Sequence, residues 1–283
     1  KKAIVVGAGI AGLACSLRLQ KKGYEVTVVE RNNYTGGKMH VLEGNGFRFD
    51  LGPSLFTMPG LVESLFELSD KPIEDYFTYK KKEVICHYFW PDGSFFKASA
   101  EPEEWIKEAT DFFGEPSEIL RRYLNNSARK YTLTAPIFLE RSLADWKTYL
   151  STNTLKAIFN LGALNIFNTL DKHHKGIFKN KKLIQYFNRF ATYNGSSPYK
   201  TSAIMSMIPH LEMHKGTYFP TEGMHSIGQS LYQLAKDKGV RFLLETPVVK
   251  INVENNSAKG IEIVVNGVTQ YLKADVVVSN ADV

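Results

Sequence analysis

The chain has 283 residues, 43% of them hydrophobic, 23% charged and 12% aromatic. That balance excludes a disordered chain, a collagen-like repeat and a small disulfide scaffold, and the length suits one large domain or two. Thirty-five Lys and Arg against 29 Asp and Glu give a net charge of +6, which admits an anionic partner without requiring one. The charge is unevenly placed. Arg121 to Phe190 holds 13 Lys and Arg against the acids Glu140, Asp145 and Asp171, so one segment carries the basic character and the rest is mildly acidic.

Ala3–Val6 is a short β-branched run that predicts a strand, and it leaves no room for a signal peptide ahead of it. Ile10–Gln20 has helical apolar spacing (Ile10, Leu13, Ala14, Leu17), and Val26–Val29 is a second strand. The three form a compact β-α-β unit, which implies a parallel sheet. Residues 61–69 read as a helix. Glu83–Trp90 and Ser94–Ala98 flank Pro91-Asp92-Gly93, a hairpin signal. From Pro102 to about Phe190 the pattern is helical, rich in Lys, Asn, Phe and Leu. Met224–Lys238 is a further helix that closes at Gly239.

Strands are expected after it over Phe242–Leu244 running on to Pro247–Val253, over Gly260–Val265 and over Val268–Ala274. Asn255-Asn256 and Asn266-Gly267 supply the turns. A last strand, Asp275–Ser279, is centred on Val276, Val277 and Val278. The fold class is therefore α/β, a Rossmann-like domain interrupted by an α+β insert. The expected division is 1–75 and 215–283 for the first, and 76–214 for the second, with basic helices at about 115–190. No run of about 18 apolar residues occurs, so no membrane-crossing helix is expected.

Gly7-Ala8-Gly9-Ile10-Ala11-Gly12 is G-x-G-x-x-G, placed directly after the first strand and opening the helix. Gly7 permits the tight turn, Gly9 admits a pyrophosphate to the backbone, and Gly12 lets helix and strand pack closely. Glu30 ends the second strand, where an acid can bond ribose hydroxyls. Together these predict a dinucleotide site. Arg31, Gly36-Gly37-Lys38 and Phe47-Arg48-Phe49-Asp50-Leu51-Gly52-Pro53-Ser54 follow. A second Gly pair beyond the acid lets the chain run close to the rest of a long cofactor.

This stretch, Glu30-Arg31-x4-Gly36-Gly37-Lys38 and then Phe-x-Phe-Asp-x-Gly-Pro-Ser, resembles the FAD-binding amine-oxidase and phytoene-desaturase superfamily. Tyr193–Tyr199, Tyr218–Met224 and Ala274–Asp282 are similar to three later segments of that family, so the resemblance spans the chain. Glu222 departs from it, standing where many relatives have a second Gly. The variants Gly37-Lys38-Met39-His40 and Ser54-Leu55-Phe56-Thr57-Met58-Pro59 resemble the bacterial carotenoid desaturases acting at C3–C4 of 1-hydroxylated or methoxylated carotenoids. The resemblance implies an FAD domain of the glutathione-reductase and amine-oxidase type. It also implies a chain that continues about as far again, this sequence being the N-terminal part.

By the same resemblance, Gly7, Gly9, Gly12, Glu30, Arg31, Gly37 and Lys38 hold the ADP half of FAD. Gly52, Pro53 and Ser54 lie near the flavin, and Val248 contacts adenine through its backbone. The implied reaction removes hydride and proton from a C–C bond of a carotenoid, with a quinone or oxygen as final electron acceptor. Glu140, Arg141, Asp145 and Lys147, just after Pro136-Ile137-Phe138-Leu139, are the candidate catalytic groups. Phytoene desaturation and carotenoid isomerisation are alternatives within the family. More distant ones are amine or porphyrinogen oxidation, and protein binding in the manner of the prenyl-GTPase dissociation inhibitors.

Other signals point away from separate chemistry. His210 and His214 lie at i and i+4, but Glu212 sits between them rather than in His-Glu-x-x-His order, so no metal is expected; the family resemblance makes this region a strand. His173-His174, flanked by Lys172 and Lys175, is expected to be solvated. Cys15 and Cys86 have neither disulfide nor metal spacing and read as buried thiols of a cytoplasmic protein. In the basic segment, Leu155, Ile158, Phe159, Leu161, Leu164, Phe167 and Leu170 form an apolar face among Lys147, Lys156, Lys172, Lys175, Lys179, Lys181 and Lys182. Such a face suits peripheral contact with an anionic bilayer. A nucleic-acid partner is not expected, since no recognition motif accompanies the charge.

Overall fold

A computed structural model describes residues 1–281, in two compact units: Lys1–Lys81 with Tyr218 onward, and Lys82–Thr217. In the first unit four strands form a parallel sheet in the order Val276–Ser279, Lys2–Val6, Glu25–Val29, Arg241–Leu243. Its two central strands are almost wholly apolar because both faces are covered. Successive side chains point to opposite faces. Val5 and Val28 are buried under the helices Ile10–Lys21 and His225–Asp237, with Leu13, Leu17, Leu231 and Leu234. Ile4 and Val29 face the other way, onto Ile261 and Ile263 of an antiparallel sheet formed by Val248–Glu254, Ser257–Val265 and Val268–Lys273.

The continuous strand expected over 242–253 is two strands in two different sheets. Glu245 adopts a left-handed φ of 51°, and Thr246-Pro247 follow, so the chain leaves one sheet before entering the other. A hairpin not anticipated, His40–Gly44 with Phe47–Leu51, is joined by Asn45 (φ 51°) and Gly46 (φ 80°). Asn-Gly is the preferred dipeptide for such a turn.

The second unit opens with the expected hairpin, Val84–Phe89 with Phe95–Ser99. Helices Pro102–Phe113, Ser117–Phe138, Leu170–Lys175 and Lys181–Asn188 follow, with shorter turns over 146–164. Trp105, Tyr123, Tyr186, Phe187 and Phe190 form its interior. Two expectations are corrected in this unit. Residues 208–215 are helical, ending in a π-turn at Leu211–Lys215, rather than a strand. Pro209 occupies a first-turn position, where its missing N–H costs nothing. His174 is fully buried, not solvated. The cysteines are free but only half-buried.

Glu212, fully buried in the π-turn, accepts from Arg189 Nη2 (2.6 Å) and from the Tyr193 hydroxyl (2.6 Å). Each Glu212 oxygen thus has one donor, and Arg189 Nε also donates to the Tyr88 hydroxyl (2.7 Å). The apolar face read from the sequence divides. Leu164 and Leu170 are buried, whereas Leu155, Ile158, Phe159, Leu161 and Phe167 stand in solvent with Trp146 and Leu150.

Candidate functional site: a dinucleotide cradle

The first unit gathers the glycines of both motifs. Gly7 N donates to the Val29 carbonyl (2.8 Å), closing the turn after the first strand. Gly36 N donates to the Ala8 carbonyl (2.9 Å), and Gly36 bridges Gly9, so the second Gly pair lies directly on the first turn. A Cβ on Gly12 would collide with the Gly7 carbonyl oxygen, which is why helix and strand need a glycine there. Gly52, at φ +97°, would meet the Lys38 carbonyl in the same way, bringing Gly52-Pro53-Ser54 against the segment after the second pair.

Helix Ile10–Lys21 starts at Gly9 with no side chain among the described residues capping its amides, and no acid lies in its first turn. Its N-terminal N–H groups and dipole are thus left for an anion. Glu30 is buried at the end of its strand. One oxygen accepts from Ala8 N (2.8 Å), and the other from Asn32 N (2.9 Å) and Asn32 Nδ2 (2.8 Å). Thr35 Oγ1 and His40 Nδ1, on either side of the second Gly pair, are buried without a hydrogen-bond partner among the described residues. An open helix terminus, a fixed acid and two orphaned polar atoms around glycines that tolerate no Cβ fit a pyrophosphate-bearing nucleotide.

Arg31, Lys38, Pro53 and Ser54 are exposed. Val248 pairs with Ile263 and packs on the smaller core, while Thr246 N donates to the Glu30 carbonyl (2.8 Å) and Glu245 N to that of Asn32 (3.0 Å). The strand leading to Val248 therefore starts at the acid. Glu140, Arg141, Asp145 and Lys147 are all exposed in the second unit, where Asp145 Oδ1 caps a short helix by accepting from Lys147 N (3.0 Å).

Three contributors were not singled out from the sequence. Asn280 donates through its backbone to Val6 O (2.8 Å) and sets its amide beside Gly9 and Gly12. It belongs to the Ala274–Asp282 stretch, whose last residue, Asp282, lies outside the described residues. Asp50 accepts from Met224 N (2.8 Å) and His225 N (3.3 Å), a side-chain cap supplied to helix His225–Asp237 from the unanticipated hairpin. His225 Nδ1 donates to the Met39 carbonyl (2.9 Å), tying that helix to the second Gly loop. Glu222 sits in the turn before the helix without a positive φ, so the departure from glycine is accommodated.

A parallel sheet with this glycine cradle and a terminal acid defines a dinucleotide-binding oxidoreductase fold, and the chain matches the family model for flavin containing amine oxidoreductase over residues 10–283. It belongs to that family, and FAD is the cofactor its cradle accommodates. Among relatives, it is 53% identical over 261 residues to a 1-hydroxycarotenoid 3,4-desaturase of Flavobacterium sp., covering 92% of this chain and 53% of that one. It is 32% identical over 289 residues to a phytoene desaturase of Phycomyces blakesleeanus, covering 100% of this chain and 48% of the relative. An oxidoreductase structure from Methanosarcina mazei superposes with a TM-score of 0.60 at 19% identity, over 99% of this chain and 58% of that one. The chain thus spans about half the length of the curated relatives it matches.

Proposed function

We propose that this protein is an FAD-dependent carotenoid desaturase that introduces a C=C bond at C3–C4 of a 1-hydroxylated acyclic or monocyclic carotene. The observation that carries the reading is the 53% identity, over 92% of the chain, to a relative bearing that activity in its name. When bound, FAD supplies the acceptor for the hydride leaving one carbon, with a quinone or oxygen as final electron acceptor. The chain's own work is binding and orientation. The open amides at Gly9 to Gly12 receive the pyrophosphate, and Glu30, clamped by Asn32, presents its remaining lone pairs to ribose hydroxyls. Gly37 and Gly52 keep the backbone thin along the rest of the cofactor. Of the candidate proton acceptors, Asp145 is engaged as a cap, which leaves Glu140 as the carboxylate for that role.

The reading includes peripheral attachment to the cytoplasmic face of a membrane. Phe159 and Phe167 are 86% and 93% exposed, with Trp146, Leu150 and Ile158 also in solvent and Arg141, Lys147 and Lys156 interleaved. Aromatic and aliphatic side chains rimmed by bases suit the interface of an anionic bilayer, where a carotenoid dissolves. No described helix is long and apolar enough to cross a membrane. Co-expression with pathways that accumulate lycopene or 1-hydroxylycopene, followed by chromatographic product analysis, tests the reading. A new double bond in the hydroxylated substrate is expected; an absence of desaturated product from both would overturn it.

A further inference from the structure

The second unit contains a buried polar chain that the desaturase reading does not use. Tyr123, 3% exposed on helix Ser117–Phe138, places its hydroxyl 2.9 Å from His174 Nε2. His174 Nδ1 lies 2.8 Å from Asn188 Oδ1, and Asn188 Nδ2 lies 2.8 Å from Asp171 Oδ1. Asp171 closes the chain at the surface on Lys175 Nζ, at 2.7 Å.

The order of donors and acceptors along this chain is forced. An ionised carboxylate only accepts, so Asn188 turns its NH2 to Asp171 and its oxygen to His174. That oxygen also only accepts, so the His174 proton resides on Nδ1. Nε2 is left as a bare lone pair, and the Tyr123 O–H donates to it. A buried phenol therefore faces a neutral base whose tautomer is fixed from outside.

The surroundings keep the base neutral. His174 packs among Tyr123, Phe178 and Phe187, with His173 beside it and the buried Lys130 ammonium on the neighbouring helix. Burial, His173 and Lys130 all disfavour the imidazolium, and Asn188 and Asp171 offset only part of this. The proton of a phenol is held tightly until an electron leaves. A one-electron-oxidised phenol is a far stronger acid than any imidazolium, so transfer to His174 Nε2 is downhill even for so weak a base.

We propose that Tyr123 is a redox-active tyrosine, oxidised by outer-sphere one-electron oxidants with its proton passing to His174. The step balances: Tyr123–OH, neutral His174 and the oxidant give the neutral Tyr123 phenoxyl, protonated His174 and the oxidant reduced by one electron. The Tyr123 O–H bond breaks, and the His174 Nε2–H bond forms across the existing hydrogen bond. Asn188 and Asp171 are positioning residues, holding Nε2 toward the phenol and stabilising the new cation. Solvent is excluded, yet the adjoining Arg122 is exposed, so an electron need cross only about one helix thickness of ~10 Å.

Other tyrosines differ in what they lack. Tyr186 is as buried but its hydroxyl has no acceptor among the described residues. Tyr193 donates to the Glu212 carboxylate (2.6 Å) but is 36% exposed, so a radical there is open to solvent. Among the described residues, only the Tyr123 site joins a sheltered ring to an oriented neutral base. This inference stands apart from the choice of carotenoid.

The test is flash oxidation of the purified protein with photogenerated tris(bipyridine)ruthenium(III), followed by transient absorption and electron paramagnetic resonance. A persistent tyrosyl radical is expected whose rate of formation is independent of buffer base concentration and slower in D2O. Tyr123→Phe, which removes one oxygen, abolishes that persistent species. His174→Gln keeps a hydrogen-bond acceptor without the base and slows formation roughly a hundredfold, the lower range for a positioned base, making it buffer-dependent. Circular dichroism on both variants verifies the fold. Survival of the persistent radical in Tyr123→Phe, or an unchanged rate in folded His174→Gln, would overturn the assignment and leave the chain a purely structural tie.

Discussion

The same histidine makes the helical unit sensitive to acid. His174 is fully buried, and its pKa is pushed from 6.5 down to about 3, chiefly by desolvation. Between those values the unfolded chain binds a proton that the folded one refuses, so stability is complete above about pH 6.5 and declines as pH falls toward 3. At ~1.36 kcal/mol per unit, the loss reaches about 2 kcal/mol by pH 5 and approaches ~4.5 kcal/mol near pH 3. His173 and His210, each lowered to about 4, act in the same direction, so the wild-type curve alone does not isolate the residue. The measurement is urea unfolding at pH 7 and pH 5, followed through the buried Trp105, for wild type and His174→Gln. The wild type should lose about 2 kcal/mol more than the variant between the two pH values. Equal losses would refute the account of His174 as a buried neutral base.

Gly12→Ala places a methyl group against the Gly7 carbonyl oxygen; a cost of about 1–3 kcal/mol is expected with loss of co-purifying yellow flavin, read by absorbance and thermal unfolding. Replacing Glu212 with Leu leaves the Arg189 charge without its carboxylate and the Tyr193 hydroxyl without its acceptor, and should destabilise the second unit by roughly 3–5 kcal/mol, seen in denaturant melts. The double substitution Phe159→Ser and Phe167→Ser should leave stability within about 0.5 kcal/mol, both side chains being in solvent already. It should nonetheless abolish flotation with anionic vesicles, since each phenyl buried in lipid contributes ~1.5–3 kcal/mol.

What the sequence discloses is what its neighbours in the chain decide. Gly7, Gly9, Gly12 and Glu30 are readable because turn, helix start and acid fall within one β-α-β unit, whereas Asn280, Asp50 and His225 reach the cradle from distant parts of the chain. The Asn45-Gly46 turn was equally local, but Phe47–Ser54 draws attention as a cofactor motif before it is seen as a strand. His174 is the opposite case. Beside three charged or polar neighbours it looks solvated, and its burial depends on Tyr123, 51 positions away, and on Asn188. At Leu211–Met213 three consecutive residues are buried, which neither an α-helical nor a strand period predicts; a π-turn produces it by widening the helix. The candidates Glu140 to Lys147 rest on resemblance alone, with no local pattern to place them.

The order of strands in the parallel sheet also bears on how the chain folds. Lys2–Val6 pairs on one side with Glu25–Val29, close in sequence, and on the other with Val276–Ser279, the last strand of the described chain. That second pairing closes a loop nearly as long as the chain, and such closure becomes entropically dearer with length, though only logarithmically. The insert shortens the effective loop, because Lys82 N donates to the Thr217 carbonyl at 2.8 Å and the whole intervening segment starts and ends at one point. Once the insert has folded, the search for Val276–Ser279 proceeds as though Lys82–Thr217 were a single link. Excising that segment and joining Lys81 to Tyr218 through a short turn is therefore the minimal route to the nucleotide-binding unit on its own.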